Sequence, residues 1–335
     1  MVTNATSAPK IAVVIPSYRV RANVGAVLSA IGPEVSAIYV VDDACPEGSG
    51  RYVEEISTDP RVSVIFNPNN LGVGGATVAG FRQAVADGAE VIVKIDGDGQ
   101  MNPAAIREFV GPILTGEADY TKGNRFFDPE GVASMPVVRL IGNACLSFMA
   151  KLSTGYWHIF DPTNGYFAIH ADIVKVMPLE KISQRYFFET DLLFRLNILT
   201  ARVVDIPMLS HYGSENSGLN PLREVLPFAW GHARIFCKRI LYNYFIRNFS
   251  VASLELVLGL LMLVFGIVFG VVNWGTDAPA TAGTVMVAAL PSILGIQFLL
   301  AFVGYDIQAV PRTALHPKLT SYAEALAGPG DEDAP

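Results

Sequence analysis

Two stretches near the C-terminus constrain this chain most. Residues 256–272 read LVLGLLMLVFGIVFGVV without one polar side chain, and residues 285–304 read VMVAALPSILGIQFLLAFVG without a charge. A helix needs about 20 apolar residues to cross the hydrocarbon core of a bilayer. The first run reaches that length once residues 251–255 are counted, with Glu255 at its edge. Glycine and proline at this density suit membrane helices better than the core helices of soluble domains. The sequence therefore predicts a transmembrane hairpin over residues 250–307. Arg223, Arg234, Lys238, Arg239 and Arg247 precede it, Arg312 and Lys318 follow it, and the connecting NWGTDAPATAG has no lysine or arginine. By the positive-inside rule both flanks face the cytoplasm. The first ten residues, MVTNATSAPK, carry no apolar h-region of a secretory signal. The expectation is an integral protein of a bacterial-type inner (plasma) membrane, with both termini and residues 11–220 cytoplasmic.

Composition closes off several other classes. Hydrophobic residues make up 51% and charged residues 16%, the latter below the roughly 25% of a soluble domain. Intrinsic disorder needs the opposite balance. With 24 basic against 31 acidic side chains the net charge is −7, so no nucleic acid is expected as partner. Cys45, Cys145 and Cys237 are too few and too scattered for a disulfide framework or a cysteine zinc site. The segment before the hairpin, PLREVLPFAWGHARIFCKRILYNYFIRNF (221–249), mixes aromatics with cations, and Arg234 and Lys238 share a helical face. Such juxtamembrane helices place rings at the interface and cations against lipid phosphates. Small residues on the spans can support helix association, which leaves a homo-oligomer open.

The remainder reads as strand, loop and helix. Residues 11–18, 37–43, 62–67 and 90–98 are β-branched runs of the kind covered on both faces in a parallel sheet. Helical patterns fill residues 23–30, 50–57 and 74–87. That rhythm predicts a doubly wound α/β domain over residues 11–220, after a disordered stretch 1–10 and before a cytoplasmic tail 308–335. Ligands bind beyond the C-terminal ends of such strands. Those ends carry Pro16, Ser17 and Tyr18, then Asp42 and Asp43, then Asp96 and Asp98.

Two carboxylates spaced i, i+2 at a strand end can turn toward one cation. Oxygen ligands suit Mg2+ or Mn2+, which keep waters and add phosphate oxygens; Gln100 and Asn102 can supply neutral oxygens. In NPNNLGVGGATVAGF (67–81) Gly72, Gly74 and Gly75 stand where a helix begins, a place that favours an anion. It is no G-x-G-x-x-G fingerprint and it follows the third strand, so a dinucleotide oxidoreductase is disfavoured.

The segments VVIPSY, VVDDACPEGS, NNLGVGGATVAGF, KIDGDGQMNP, TKGNRF, DPTNGYFAI and FFETDLLFRL resemble, in this order, family 2 glycosyltransferases. The likeness is to the dolichyl-phosphate mannose synthase and polyprenyl-phosphate glycosyltransferase branch with two C-terminal membrane helices, over residues 11–305. It implies a GT-A fold, a Rossmann-like and mostly parallel sheet, with a nucleotide-sugar donor and a divalent metal. By the resemblance, Pro16, Ser17, Tyr18 and Asp43 line the nucleoside pocket, and Asp96, Asp98 and Gln100 surround the metal. Two segments depart from the family pattern. Tyr18 is followed by Arg19-Val20 rather than asparagine and glutamate, and HYGSENSGL (211–219) replaces a segment with arginine, glycine and serine.

The chemistry expected is inverting transfer of a hexose from a UDP- or GDP-sugar to polyprenyl phosphate at the cytoplasmic face. Asp98 serves the metal, Gly74 stands at the donor phosphates, and Arg125 and Arg139 can hold phosphate oxygens in bidentate fashion. Arg139, Asp161, Arg234 and Lys238 are the acceptor-side candidates. An acceptor phosphate is already anionic and needs positioning, whereas a sugar hydroxyl needs a base. Glu189 matches the acid of family members that use hydroxyl acceptors. Two alternatives therefore stand: extension of a lipid-linked saccharide with Glu189 as base, or an inactive GT-A-like membrane scaffold.

Overall fold

A computed structural model describes residues 8–127, 137–208, 221–274 and 280–327. The chain divides into two compact units, residues 1–235 with 311–335, and residues 236–310.

The first unit is built on seven strands: β1 (Ile11–Ser17), β2 (Val35–Asp42), β3 (Val62–Phe66), β4 (Val91–Lys94), β5 (Tyr120–Asn124), β6 (Phe167–His170) and β7 (Val203–Pro207). They form one sheet in the order β3-β2-β1-β4-β6-β5-β7. All neighbours are parallel except β6, which runs antiparallel to both β4 and β5. Val13, Ile15, Ile38, Val40 and Val93 have no exposed surface, as expected of β-branched runs covered on both faces. Helices α1 (Val24–Ala30), α2 (Ser49–Ile56) and α3 (Gly72–Ala86) connect the first four strands. The chain steps outward from β1 to β2 and β3, then returns to place β4 on the other side of β1. The C-terminal ends of β1 and β4 thus flank the switch point at which open α/β sheets bind ligands.

Helices α4 (Ile106–Leu114), α5 (Val137–Thr154), α6 (Ala171–Val176) and α7 (Phe188–Leu199) complete this layer, and α8 (Pro221–Leu241) follows. Within the expected tail 308–335, residues 316–327 are helical (His316–Ala327). After the second unit the chain returns to the first. Asp119, fully buried, accepts the backbone N–H of Leu315 and of His316 at 2.8 Å each, and its Oδ1 lies 2.8 Å from His316 Nδ1. The His316 ring stacks on His170 with centroids 4.1 Å apart. An unpaired buried carboxylate would be costly, so these donors explain why the returning segment is held here.

In the second unit, α9 (Val251–Asn273) and α10 (Ala282–Gln308) correspond to the hairpin expected at 250–307. Of the most apolar 18-residue stretch of each helix only 11% is buried, so both present apolar side chains outward. They meet through small residues: a Cβ on Gly295 would lie 2.7 Å from the Leu263 nitrogen and 2.9 Å from the Gly259 carbonyl. One flanking cation behaves differently from the expectation. Arg239 is 1% exposed, and its Nη1 lies 2.6 Å from Oδ1 of Asp306. Asp306 also accepts from the Tyr244 hydroxyl. Arg239 therefore neutralises an acid within its own unit instead of facing lipid phosphates; Lys238, one residue earlier, is exposed.

Candidate active site

The strand ends at the switch point line a cavity of about 470 Å³ that includes Pro16, Ser17, Tyr18, Asp43, Asp96, Gly97 and Asp98. Each lining residue is fixed by local chemistry. Ser17 is buried and donates its hydroxyl to the Ile15 carbonyl at 3.2 Å. Asp42 and Asp43, adjacent in sequence, do different work. Asp42 accepts the N–H of Cys45 at 2.7 Å and of Gly50 at 2.6 Å, which holds the turn into α2. Asp43 accepts from Asn67 Nδ2 at 2.8 Å and from the N–H groups of Leu71 at 2.9 Å and Gly72 at 2.7 Å. Gly72 has φ +83°, a left-handed conformation that favours glycine.

These bonds revise the anion reading of the glycine segment. Leu71 and Gly72 give their N–H groups to Asp43, while Gly74 and Gly75 give theirs to the Gln184 carbonyl at 2.8 and 3.2 Å. Gly74 does not line the cavity. A Cβ there would meet the Ser183 carbonyl and the Phe188 ring, so the residue serves close packing against the segment leading into α7. The start of α3 is occupied by the protein itself.

The acidic turn follows β4. Asp98 Oδ1 accepts the N–H of Gln100 at 3.0 Å, and Gly99 takes φ +80°. Gln100 is exposed and lies off the cavity wall; Asn102 caps the next turn by accepting from the Ala104 N–H at 3.0 Å. Asp96 Oδ1 pairs with Lys94 Nζ at 2.6 Å. Lys94 is a residue that the sequence reading passed over, although a lysine within VIVKI is a signal: ammonium groups are rarely buried unless paired. Lys122 on β5 is a second such lysine, fully buried and bonded to the Asn164 carbonyl. Burial pushes its ammonium down to about 8, against the opposing charges of Glu189, Asp161 and Asp205.

Glu189 begins α7, is 8% exposed and does not line the cavity. Burial raises its carboxyl above the ordinary range, opposed by the charges of Lys94 and Lys122. Arg125 and Asp161, placed on separate tasks by the sequence, are instead partners. Arg125 Nε and Nη2 reach the two Asp161 oxygens at 2.7 and 2.9 Å. Arg234 is exposed on α8 and Lys238 on the same helix. The side chain of Arg139 and the segment 211–219 lie outside the described residues. The cavity also includes Asn70, Arg185 and Tyr186, which were not anticipated. At the departure from the family motif, Arg19 adopts φ +57° and places its guanidinium 5.4 Å from the Tyr18 ring centroid, a cation–π distance.

Among the described residues no group of three His, Cys, Asp or Glu side chains forms a ready metal site. Asp96 and Asp98 do supply two hard carboxylates on one cavity wall, the donor type that Mg2+ and Mn2+ take together with substrate phosphates. The residues fit a metal that shares its coordination with a ligand.

A mostly parallel sheet carrying an acidic turn and a nucleoside-sized cleft at its switch point is the GT-A arrangement. The fold is shared with glucosyl-3-phosphoglycerate synthase of Mycobacterium tuberculosis, solved with Mn2+, UDP and phosphoglyceric acid. The match has a TM-score of 0.51 at 18% identity and covers 69% of this chain and 78% of that one. Residues 12–177 match the family model described as glycosyl transferase family 2. The chain is 30% identical over 203 residues to the undecaprenyl-phosphate mannosyltransferase of Micrococcus luteus, covering 59% of this chain and 82% of that protein. It is also 30% identical over 162 residues to UDP-N-acetylglucosamine--dolichyl-phosphate N-acetylglucosaminyltransferase of Methanococcus voltae, covering 44% and 64% respectively. The chain belongs to glycosyl transferase family 2.

Proposed function

We propose that this protein transfers a hexose from a nucleotide sugar to polyprenyl phosphate, with inversion, at the cytoplasmic face of a membrane that its hairpin spans. The observation that carries this reading is the single cavity that joins Pro16, Ser17, Tyr18 and Asp43 to Asp96 and Asp98. The first group offers a wall for a nucleoside, and the acidic pair stands where its diphosphate would lie. Two relatives of equal identity act on polyprenyl-type phosphates by their names, and they differ in the sugar. The hexose therefore follows from pocket detail, not from family membership.

Asp96 and Asp98 would hold a divalent ion together with the donor's diphosphate. When bound, that ion offsets the charge developing on the leaving nucleoside diphosphate. The chain's own groups do the rest. Tyr18, with Arg19 against its ring, presents an aromatic face to the base. Arg185 at the cavity brings a cation to the donor's anionic end. An acceptor phosphate oxygen attacks the anomeric carbon as the bond to the diphosphate oxygen breaks, so no proton has to be removed from the nucleophile. Arg125, at the end of β5 and held by Asp161, remains the candidate cation for donor phosphate oxygens.

Exposed Arg234 and Lys238, and the cation-free loop between the spans, support cytoplasmic flanks. Anchoring confines the enzyme to the surface that holds its acceptor.

The raised carboxyl of Glu189 favours a second reading, in which it deprotonates a hydroxyl of a lipid-linked saccharide. A donor screen tests the proposal. Detergent-purified protein with undecaprenyl phosphate, Mg2+ or Mn2+ and a panel of UDP- and GDP-sugars should release nucleoside diphosphate with at least one donor, only when the lipid phosphate is present. Absence of release with every donor, whether undecaprenyl phosphate or a lipid-linked saccharide is the acceptor, favours the scaffold.

A further inference from the structure

The feature of the site that the reaction scheme leaves unused is a buried cation. Lys94 is the last residue of β4, with neighbours on both sides: Val14 of β1 and Phe167 of β6. Its side chain is 1% exposed, whereas that of its partner Asp96 is 31% exposed and reaches the cavity. One Asp96 oxygen, Oδ1, is taken by the ammonium at 2.6 Å. The other is hemmed in by Gly165, where a Cβ would lie 2.7 Å from Oδ2 and 2.5 Å from Lys94 Nζ. The pair is thus locked, with one carboxylate oxygen committed inward and the space around both kept free of a side chain.

We infer that Lys94 is a positioning residue that acts as a built-in counter-cation for Asp96, so that a divalent metal is held firmly only together with the donor's diphosphate. The inference rests on the donor-site reading above. The local charge at the turn is −1 from Asp96, −1 from Asp98 and +1 from Lys94, a net of −1 instead of −2. Deeper in, the acid of Glu189 faces two cations, Lys94 and Lys122, so the buried charges there do not add to the negative charge at the turn. Asp43 lines the same cavity, but Asn67, Leu71 and Gly72 occupy three of its roughly four acceptor positions, which leaves it at most one lone pair for a metal. No third ligating side chain completes a site among the described residues. A dication facing net −1 and two carboxylates gains little over water, while a diphosphate adds both charge and oxygen ligands. Metal and donor then bind as one, and the empty enzyme does not accumulate a metal that would have to be displaced or reoriented.

The test is a Mn2+ titration of the full-length protein in detergent, read by loss of the free-ion EPR signal, alone and with UDP or GDP. Wild-type protein should bind Mn2+ weakly alone and much more tightly with one of the nucleotides. Lys94→Met removes a unit charge a few ångströms from the ion, and should tighten binding of Mn2+ alone by about 10-fold or more while the nucleotide's enhancement shrinks. Should that variant not fold, Lys94→Gln, which keeps a donor for Asp96, carries the same expectation. Unchanged or weaker binding of Mn2+ alone in a folded variant overturns the inference. If the wild-type protein takes up no Mn2+ even with either nucleotide, the donor-site reading itself fails, a distinct result.

Discussion

Arg125 grips Asp161 in a two-pronged ion pair, Nε to Oδ2 at 2.7 Å and Nη2 to Oδ1 at 2.9 Å, across 36 residues of sequence. Asp161 is 3% exposed, so its charge depends on this partner. Breaking a buried pair strands the remaining charge, typically at a cost of about 3 kcal/mol or more. Arg125→Ala should lower stability by that order, Asp161→Ala by less because Arg125 is 27% exposed, and the double variant should lose less than the sum. A double-mutant cycle on denaturant midpoints in detergent checks this, and additive losses would contradict it.

Gly165 is the narrowest point beside the acidic turn. An alanine Cβ would press on Lys94 Nζ at 2.5 Å and Asp96 Oδ2 at 2.7 Å. Both are held from other elements, so the carboxylate must shift. Displacements near 1 Å at a reacting centre cost about 100-fold in rate. Gly165→Ala should lower kcat by roughly that factor while its thermal midpoint stays close to wild type. Near-normal kcat would show that the Asp96 position is not critical.

Acid should destabilise the first unit through two histidines. Burial pushes His232 and His170 down to about 4, with the neighbouring His316 adding to the effect on His170. In the unfolded chain these imidazoles take up protons near pH 6.5. The unfolded state thus binds more protons between pH 6.5 and about 4, and stability falls as pH drops through that window, then levels off. Each histidine contributes about 3 kcal/mol over the full interval. His232 bonds Ser153 through Nδ1, and its buried Nε2 has no hydrogen-bond partner among the described residues. His232→Asn should therefore flatten the profile by about half, which thermal unfolding from pH 7 to 4 measures; an unaltered slope would rule out His232 as its source.

The role of Glu189 separates the two acceptor chemistries. For a phosphate acceptor, Glu189→Gln removes a counter-charge of Lys94 and Lys122 but no base, and turnover should fall only a few-fold. A hydroxyl acceptor would lose about 100-fold or more. Single-turnover rates with saturating donor distinguish them.

Much of this architecture is legible in the chain itself. The β-branched runs that predict strands at 11–18 and 37–43 become Ile11–Ser17 and Val35–Asp42, because burial on both faces writes a continuous apolar pattern. The acidic residues at strand ends also meet, since a switch point gathers those ends whatever the loops do. What escapes is whatever depends on partners remote in sequence. The antiparallel insertion of Phe167–His170 between β4 and β5 leaves no local mark. The N–H groups near Gly72 and Gly74 look free until Asp43 and Gln184 are brought to them. Lys94 reads as an interruption of the strand at 90–98, and Lys122 as an ordinary lysine, until Asp96 and the Asn164 carbonyl supply their partners. Likewise His316 reads as part of a tail until Asp119 receives it.

The account turns on one bond, that between a sugar and a lipid phosphate. Mass spectrometry of the lipid product, formed by purified protein from its active nucleotide sugar and undecaprenyl phosphate, tests it most directly. The expected product is a single hexose on the terminal phosphate, its yield equal to the nucleoside diphosphate released and abolished by Asp98→Ala. A sugar found only on hydroxyls of a lipid-linked saccharide, or undiminished product with Asp98→Ala, would contradict it.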